Sequence, residues 1–233
     1  MNEPFIKTGG LSKSYRGKKA LDNVTVSIDR PGITGLIGPN GSGKSTLLKT
    51  AAGLLRPGKG SVTVLGEPVS RQVASRVSLL AEVDSLYGYQ TPEEAVTFFS
   101  RVFPDFSSEK AASLLEKLEI DSGTEIKNLS KGSRARVKIA LTLARDVPLL
   151  LMDEPLSGLD PIVREEILGM IISCIDISRQ AAVISTHEVA EVEPFLDHVV
   201  FIRNGKILLS ENVEKLRETK GKSVVEVMRE VLS

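Results

Sequence analysis

The chain has 233 residues, 41% of them apolar and 26% charged, with Cys174 its one cysteine. That length can bury a sizeable core unaided, and a single cysteine excludes both an internal disulfide and a cysteine metal cluster. Lys plus Arg equals Asp plus Glu at 30 each, so no net field points to nucleic acid as a partner.

From Met1 to Gly10 there is no apolar run fit for a signal peptide. No segment approaches the ~20 apolar residues that a membrane-spanning helix needs. Residues 24–28 and 61–65 alternate apolar and polar side chains, as half-exposed antiparallel strands do. The short apolar runs 33–37, 77–80, 149–152, 182–185 and 199–202 read instead as buried parallel strands. Between the second and third of these the pattern turns helical, from about Thr91 to Ala144. Pro92 stands at a first helical position with Glu93 and Glu94 after it. A second helix opens at Ser107 with Ala112, Leu115 and Leu118 expected on its buried face. Cys174 is expected as a small buried hydrophobe on a later helix, and two short amphipathic helices, 213–219 and 224–232, close the chain. The expectation is one α/β domain, residues 1–233, with a mostly parallel core sheet, an N-terminal antiparallel β subdomain and a helical subdomain inserted at 84–144.

Gly38, Pro39, Asn40, Gly41, Ser42, Gly43, Lys44 and Ser45 follow the pattern Gly, four residues, Gly-Lys-Ser. A buried strand precedes them, and an apolar helix is expected to begin with Thr46, Leu47 and Leu48. Such glycines let the backbone wrap so that successive N–H groups face phosphate oxygens, and the helix adds its positive end. Lys44 would supply a mobile charge to the β- and γ-phosphates, and Ser45 a hydroxyl to Mg²⁺. A nucleotide is therefore expected here.

The run 149–152 ends in Asp153 and Glu154. At the carboxyl end of a strand beside the phosphate loop, Asp153 would reach Mg²⁺ directly or through water. Glu154 would orient, or take a proton from, the water that attacks the γ-phosphate. His187 follows the run 182–186, so it should stand at the same rim, bonded either to a γ-phosphate oxygen or to Glu154. His198 has no such company and reads as structural.

Together these residues resemble the nucleotide-binding domain of the ABC family, a P-loop NTPase fold, over nearly the whole chain. The loop is that family's GPNGSGKST form, which includes Thr46. Leu129, Ser130, Lys131, Gly132 and Ser133 resemble its signature loop, and Ser157, Gly158, Leu159 and Asp160 its D-loop. His187 resembles its switch histidine, and Tyr15 the aromatic that stacks on adenine. The resemblance implies an ATPase using ATP and Mg²⁺, with two such domains, a homodimer or this chain and a paralogue. Each ATP would lie between one P-loop and Ser130 and Gly132 of the other copy, with Asp160 nearby. It further implies a permease on a separate chain, and a cytoplasmic place at the inner face of the cell membrane. The block from Glu82 to about Ser130 would hold the docking groove, with Tyr87 and Tyr89 among its contacts.

Two positions depart from the family pattern. Lys131 stands where the signature has glycine; it is either a cation near the partner's nucleotide or an exposed lysine at a loop tip. Glu82 stands where a glutamine is usual, and a carboxylate there can still ligate Mg²⁺. The LSKG-type signature, Glu82 and the segment Phe103, Pro104, Asp105, Phe106, Ser107 look similar to bacterial exporter and antibiotic-response subunits. The competing reading is a soluble ABC-type ATPase acting on nucleic acid or the ribosome, but neither a tandem domain nor a coiled coil is present in 233 residues.

Overall fold

The computed structural model describes residues 3–83 and 85–232. In chain order the elements are β1 (Ile6–Tyr15), β2 (Lys18–Ile28), β3 (Gly32–Ile37), α1 (Lys44–Ala51), β4 (Lys59–Val64), β5 (Glu67–Pro68), β6 (Val77–Leu80), α2 (Pro92–Val102), α3 (Ser108–Lys117), α4 (Lys131–Leu143), β7 (Leu149–Asp153), α5 (Pro161–Cys174), β8 (Ala181–Thr186), α6 (Val189–Val192), β9 (His198–Arg203), β10 (Lys206–Asn212), α7 (Val213–Lys220) and α8 (Val224–Leu232).

Strands β2-β1-β4-β5 form one antiparallel sheet, and β10-β9-β3-β8-β7-β6 form the other. In the second sheet β3 pairs in parallel with β8 and β9, β7 with β8 and β6, and only β10 runs antiparallel. Each parallel strand is buried on both faces, which is why its sequence is a continuous apolar run rather than an alternating one. Successive residues point to opposite faces of the sheet. Leu150, Met152, Ala182, Ile184, Val199 and Phe201 join the core under α3, α4, α5 and the C-terminal helices. Leu149, Leu151, Val183, Val200 and Ile202 join the core shared with α1 and the antiparallel sheet. The molecule therefore has a central sheet with one apolar core on each face. Strands β1 and β10, which carry weaker apolar patterns, are additions to the sequence reading.

The helical block lies between β6 and β7. Thr91 caps α2 through a reciprocal pair: its Oγ1 accepts from the Glu94 N–H at 3.2 Å, and Glu94 accepts from the Thr91 N–H at 3.0 Å. Ser107 caps α3, accepting from the Lys110 N–H at 3.1 Å. Ala112 is exposed, contrary to expectation; the buried stripe is Ala111, Leu114, Leu115 and Leu118. Spacings of 3, 4 and 7 stay on one helical face, whereas Ala112, Leu115 and Leu118 at successive spacings of 3 drift around it. Cys174 is the last residue of α5 and only half-buried, packed at the border of the core that Ile175 enters. The expected start of the inserted block, residue 84, lies outside the described residues, as does Met1. No helix among the described residues is long and apolar enough to cross a membrane.

Candidate active site

The carboxyl ends of β3, β7 and β8 meet along one edge of the central sheet, where Ile37 pairs with Thr186 and Asp153 with Ser185. The loop between β3 and α1 wraps over this edge. At Gly38 a side chain would run into the Ile202 carbonyl and stand 2.8 Å from Ser42 Oγ, so only glycine lets the turn pass. Gly43 has φ 112° and begins the helix, with the Ala20 carbonyl 2.5 Å from where a Cβ would lie. Helix α1 starts at Lys44, two residues earlier than expected, so Lys44 and Ser45 stand in its first turn, where backbone N–H groups lack intrahelical partners.

A cavity of about 370 Å³ opens above this loop. Its lining includes Tyr15, Ala20, Glu82, Glu154, Ser157, His187 and the whole run from Asn40 to Thr46. Lys44 is held by its own loop and by Glu154. Its ammonium donates to the carbonyls of Gly38 at 2.7 Å and Pro39 at 3.2 Å and pairs with Glu154 Oε1 at 3.0 Å. The two carbonyls take hydrogen bonds from the ammonium, while Glu154 Oε1 is held by charge at ion-pair distance, without hydrogen-bond geometry. The Lys44 and Glu154 side chains are only 5% and 8% exposed, so neither charge is left without a counterpart. The other oxygen of Glu154 meets His187 Nδ1 at 2.9 Å. Of the two options for His187, the carboxylate contact is the one this structure contains.

Asp153 lies one step deeper. Its Oδ1 accepts from Ser45 Oγ at 3.0 Å and from Ser185 Oγ at 2.9 Å. Its Oδ2 is buried and has no hydrogen-bond partner among the described residues. A buried carboxylate oxygen left unpaired beside a serine hydroxyl is a donor set suited to a hard divalent cation such as Mg²⁺. Glu154 follows with φ 50°, a left-handed conformation that costs on the order of 1–3 kcal/mol for a side chain of this kind. That turn aims the Glu154 N–H at Ser185 Oγ, 3.0 Å away.

The sequence-derived candidates divide into two groups. Tyr15, Asn40, Gly41, Ser42, Gly43, Lys44, Ser45, Thr46, Glu154 and His187 come together around the cavity, with Gly38, Pro39 and Asp153 directly behind it. Glu82 stands exposed at its mouth, with its backbone carbonyl 3.2 Å from Lys138 Nζ. Ser130, Gly132 and Asp160 do not line it. Ser130 caps α4, its Oγ accepting from the Ser133 N–H at 3.0 Å, and Asp160 caps α5 through the Val163 N–H at 3.1 Å. Lys131 rests against Gly158 in the same chain. Ser185 was not foreseen, although a lone serine inside an apolar strand facing Asp153 was a visible signal. Ala20 was missed as well and carried no signal of its own, whereas Ser157, noted only as the start of the D-loop resemblance, lines the chain's own cavity.

A parallel sheet whose strand ends carry a glycine-rich loop, a lysine at a helix start and paired carboxylates defines a P-loop nucleoside triphosphatase. The profile of the ABC transporter family matches residues 21–157, more than half of the chain, and the chain belongs to that family as an ATP-binding, ATP-hydrolysing subunit. It is similar to an uncharacterized ABC transporter ATP-binding protein of Bacillus subtilis (strain 168), 30% identical over 232 residues, 97% of this chain and 75% of the relative. It is also similar to the lantibiotic transport ATP-binding protein of Streptococcus pyogenes, 34% identical over 224 residues, 91% of this chain and 95% of the relative. The bacitracin transport ATP-binding protein of Bacillus licheniformis is 30% identical over 209 residues, 88% of this chain and 68% of the relative. Among solved structures, an ATP-binding subunit of an ABC transporter superposes with TM-score 0.86 at 26% identity, over 98% of this chain and 100% of that one. A dimeric ATP-binding cassette in a post-hydrolysis state with ADP and Pi shares the fold, with TM-score 0.79 at 22% identity, over 89% of this chain and 98% of that one.

Proposed function

We propose that this chain energises an exporter: ATP closes a dimer of two such subunits, and hydrolysis reopens it against a permease carried on a separate chain. The observation that carries the catalytic part is the Glu154 carboxylate, shared between Lys44 at 3.0 Å and His187 at 2.9 Å at the rim of the phosphate-loop cavity. A nucleotide entering the cavity would stack its base on Tyr15 and offer Lys44 phosphate oxygens in place of Glu154. Once released from Lys44, the Glu154 carboxylate accepts the proton of the attacking water, while His187 holds that carboxylate in place. Ser45, Asp153 and Glu82 would hold Mg²⁺. When bound, the ion would offset charge on the phosphates.

The dimer reading is supported by where Ser130 and Gly132 stand in one chain. Ser130 and Gly132 stand at the start of α4, outside the chain's own nucleotide cavity. A second copy, or a paralogue, turned head to tail would bring that helix start to the γ-phosphate, with Asp160 alongside. The export direction rests on the relatives, among them a Nod factor export ATP-binding protein of Sinorhizobium fredii, 32% identical over 209 residues.

For the permease, the supporting feature is a groove of about 260 Å³ lined in part by Leu54, Leu79, Leu86, Phe99 and Phe103. Beside it Tyr87 and Tyr89 are exposed, with ring centroids 5.6 Å apart. Such a contact would place the subunit at the cytoplasmic face of the membrane.

The Glu154→Gln variant tests the catalytic and dimer parts together. It should bind ATP, turn over at least about a hundredfold more slowly and elute as a dimer with ATP but as a monomer with ADP. Turnover at the parental rate would remove Glu154 from its role, and a monomer under both conditions would remove the closure step. The parent chain should also co-purify with a polytopic membrane protein; isolation free of any such partner from solubilised membranes would remove the transport coupling.

A further inference from the structure

Arg164, in the first turn of α5, joins the loop after β7 to the loop that carries His187. Its Nε donates to the Leu159 carbonyl at 2.8 Å. Its Nη1 reaches Glu191 at 2.9 Å and also Glu188, the residue after His187. Only 20% of the arginine side chain is exposed, and its partners are two carboxylates, so these are charge-assisted contacts with limited solvent competition. Glu188 is in turn close to the histidine, with its Oε1 3.7 Å from His187 Nε2. His187 thus has a carboxylate at each ring nitrogen: Glu154 at Nδ1 and Glu188 at Nε2.

We infer that Arg164 is a positioning residue for hydrolysis: it occupies the Glu188 carboxylate, so that His187 stays with Glu154 instead of being drawn to Glu188. Glu154 lies 2.9 Å from the ring and Glu188 Oε1 3.7 Å; the guanidinium on the other Glu188 oxygen offsets that carboxylate's charge and weakens its pull on the ring. The guanidinium provides that engagement from a fixed place, because the Leu159 carbonyl holds its Nε and α5 holds its backbone. Thr186 Oγ1 accepts from the Glu188 N–H at 2.9 Å, which fixes the backbone but not the Glu188 side chain. Arg164 also ties the switch-histidine loop to the segment ending in Asp160, so the two loops would move together when a dimer closes.

This inference rests on the roles proposed above for Glu154 and His187. Arg164→Ala should lower kcat by about tenfold or more while KM for ATP changes by less than about threefold. Adding Glu188→Gln to it should restore most of the lost kcat, because the competing carboxylate is then gone. Removing the carboxylate left uncompensated would also relieve a purely structural loss, so the rescue is read together with the His187 ring signals, which a purely structural pair would not move. Arg164→Lys, which keeps the charge but not the fork, should fall between parent and alanine variant, and it serves if the alanine variant does not fold. The chain has two histidines, so the ring signals of His187 can be followed by NMR without turnover, with His198 as internal reference. They should shift in Arg164→Ala and return in the double variant. An unchanged kcat, or unmoved His187 signals whether or not the double variant is rescued, would overturn the inference. A parent chain that binds but never hydrolyses ATP would instead sink the catalytic assignment, and the NMR comparison would still decide the Arg164 contact.

Discussion

Among the site's side chains, Glu82 tests best how much a single change of chemistry matters. An amide in its place would offer a dipole, whereas the carboxylate offers a full charge to a divalent cation. It stands exposed at the cavity mouth rather than beside Asp153, and its backbone is anchored by Lys138 Nζ through the carbonyls of Glu82 at 3.2 Å and Val83 at 2.9 Å. The side chain can therefore move while the loop stays tethered. Glu82→Gln should leave nucleotide affinity without metal within about twofold and raise the Mg²⁺ concentration for half-maximal hydrolysis several-fold. Isothermal titration with and without Mg²⁺ separates the two effects, and a collapse of metal-free affinity would mean that Glu82 shapes the loop rather than binding the ion. At this scale the sequence was informative wherever spacing fixed the chemistry, as for Lys44, Ser45 and Asp153. It was silent on contacts between distant loops. Nothing in the text of the chain ties Arg164 to Glu188, or predicts that Lys44 is held by Glu154 instead of standing free.

Between elements, a buried arginine joins the helical block to the sheet. Arg145, at the end of α4, is 4% exposed. Its guanidinium makes a two-pronged contact with Asp105, 2.7 Å from Nε and 2.9 Å from Nη2, and donates to the carbonyls of Val77 at 3.0 Å and Ala74 at 2.9 Å. The Phe103 ring lies 3.9 Å from its central carbon. One side chain thus pins the turn between α2 and α3 to the base of β6, the strand that leads to Glu82. Arg145→Met should destabilise the fold by about 3–5 kcal/mol in urea unfolding, because Asp105 and two carbonyls lose their donor in a buried place. Asp105→Asn should cost clearly less, since an amide can still accept one of the two bonds; equal losses would show that packing on Phe103 dominates. The segment from Phe103 to Ser107 was conspicuous in the sequence only as a likeness to exporter subunits. Its physical role required a partner 40 residues away, which no local pattern announces. Parallel strands were legible because burial on both faces leaves little room for polar residues, and on α3 Leu115 and Leu118 were placed on the buried face while Ala112 was not, because three-residue steps drift off the stripe.

For the molecule as a whole, zero formal charge means that no large repulsion builds up near neutral pH to mask individual groups. His198 starts β9, between β3 and β10, where its ring bonds Ser210 Oγ at 2.9 Å through Nε2. Burial there disfavours the charged ring and pushes its pKa below the ordinary value of 6.5, against the weaker opposing pull of Glu211 and Asp29. The unfolded chain then binds this proton more readily than the folded one, so the histidine's contribution to stability is complete above about pH 6.5 and is lost as pH falls through the depressed folded value. The surface carboxylates Asp121, Asp176 and Glu226 and the half-buried Asp22 and Glu211 are lowered by hydrogen bonds and neighbouring cations, and their losses come at lower pH, near and below the ordinary 3.8 to 4.5. The two windows are therefore separable. Thermal midpoints measured at half-unit steps from about pH 7.5 to 5.5 should decline for the parent chain. His198→Gln, which keeps a polar group but cannot take the proton, should flatten that decline while leaving the acid limb below about pH 4.5 in place. If the variant declines in parallel with its parent through the upper window, the pH sensitivity of the fold arises elsewhere than at this strand.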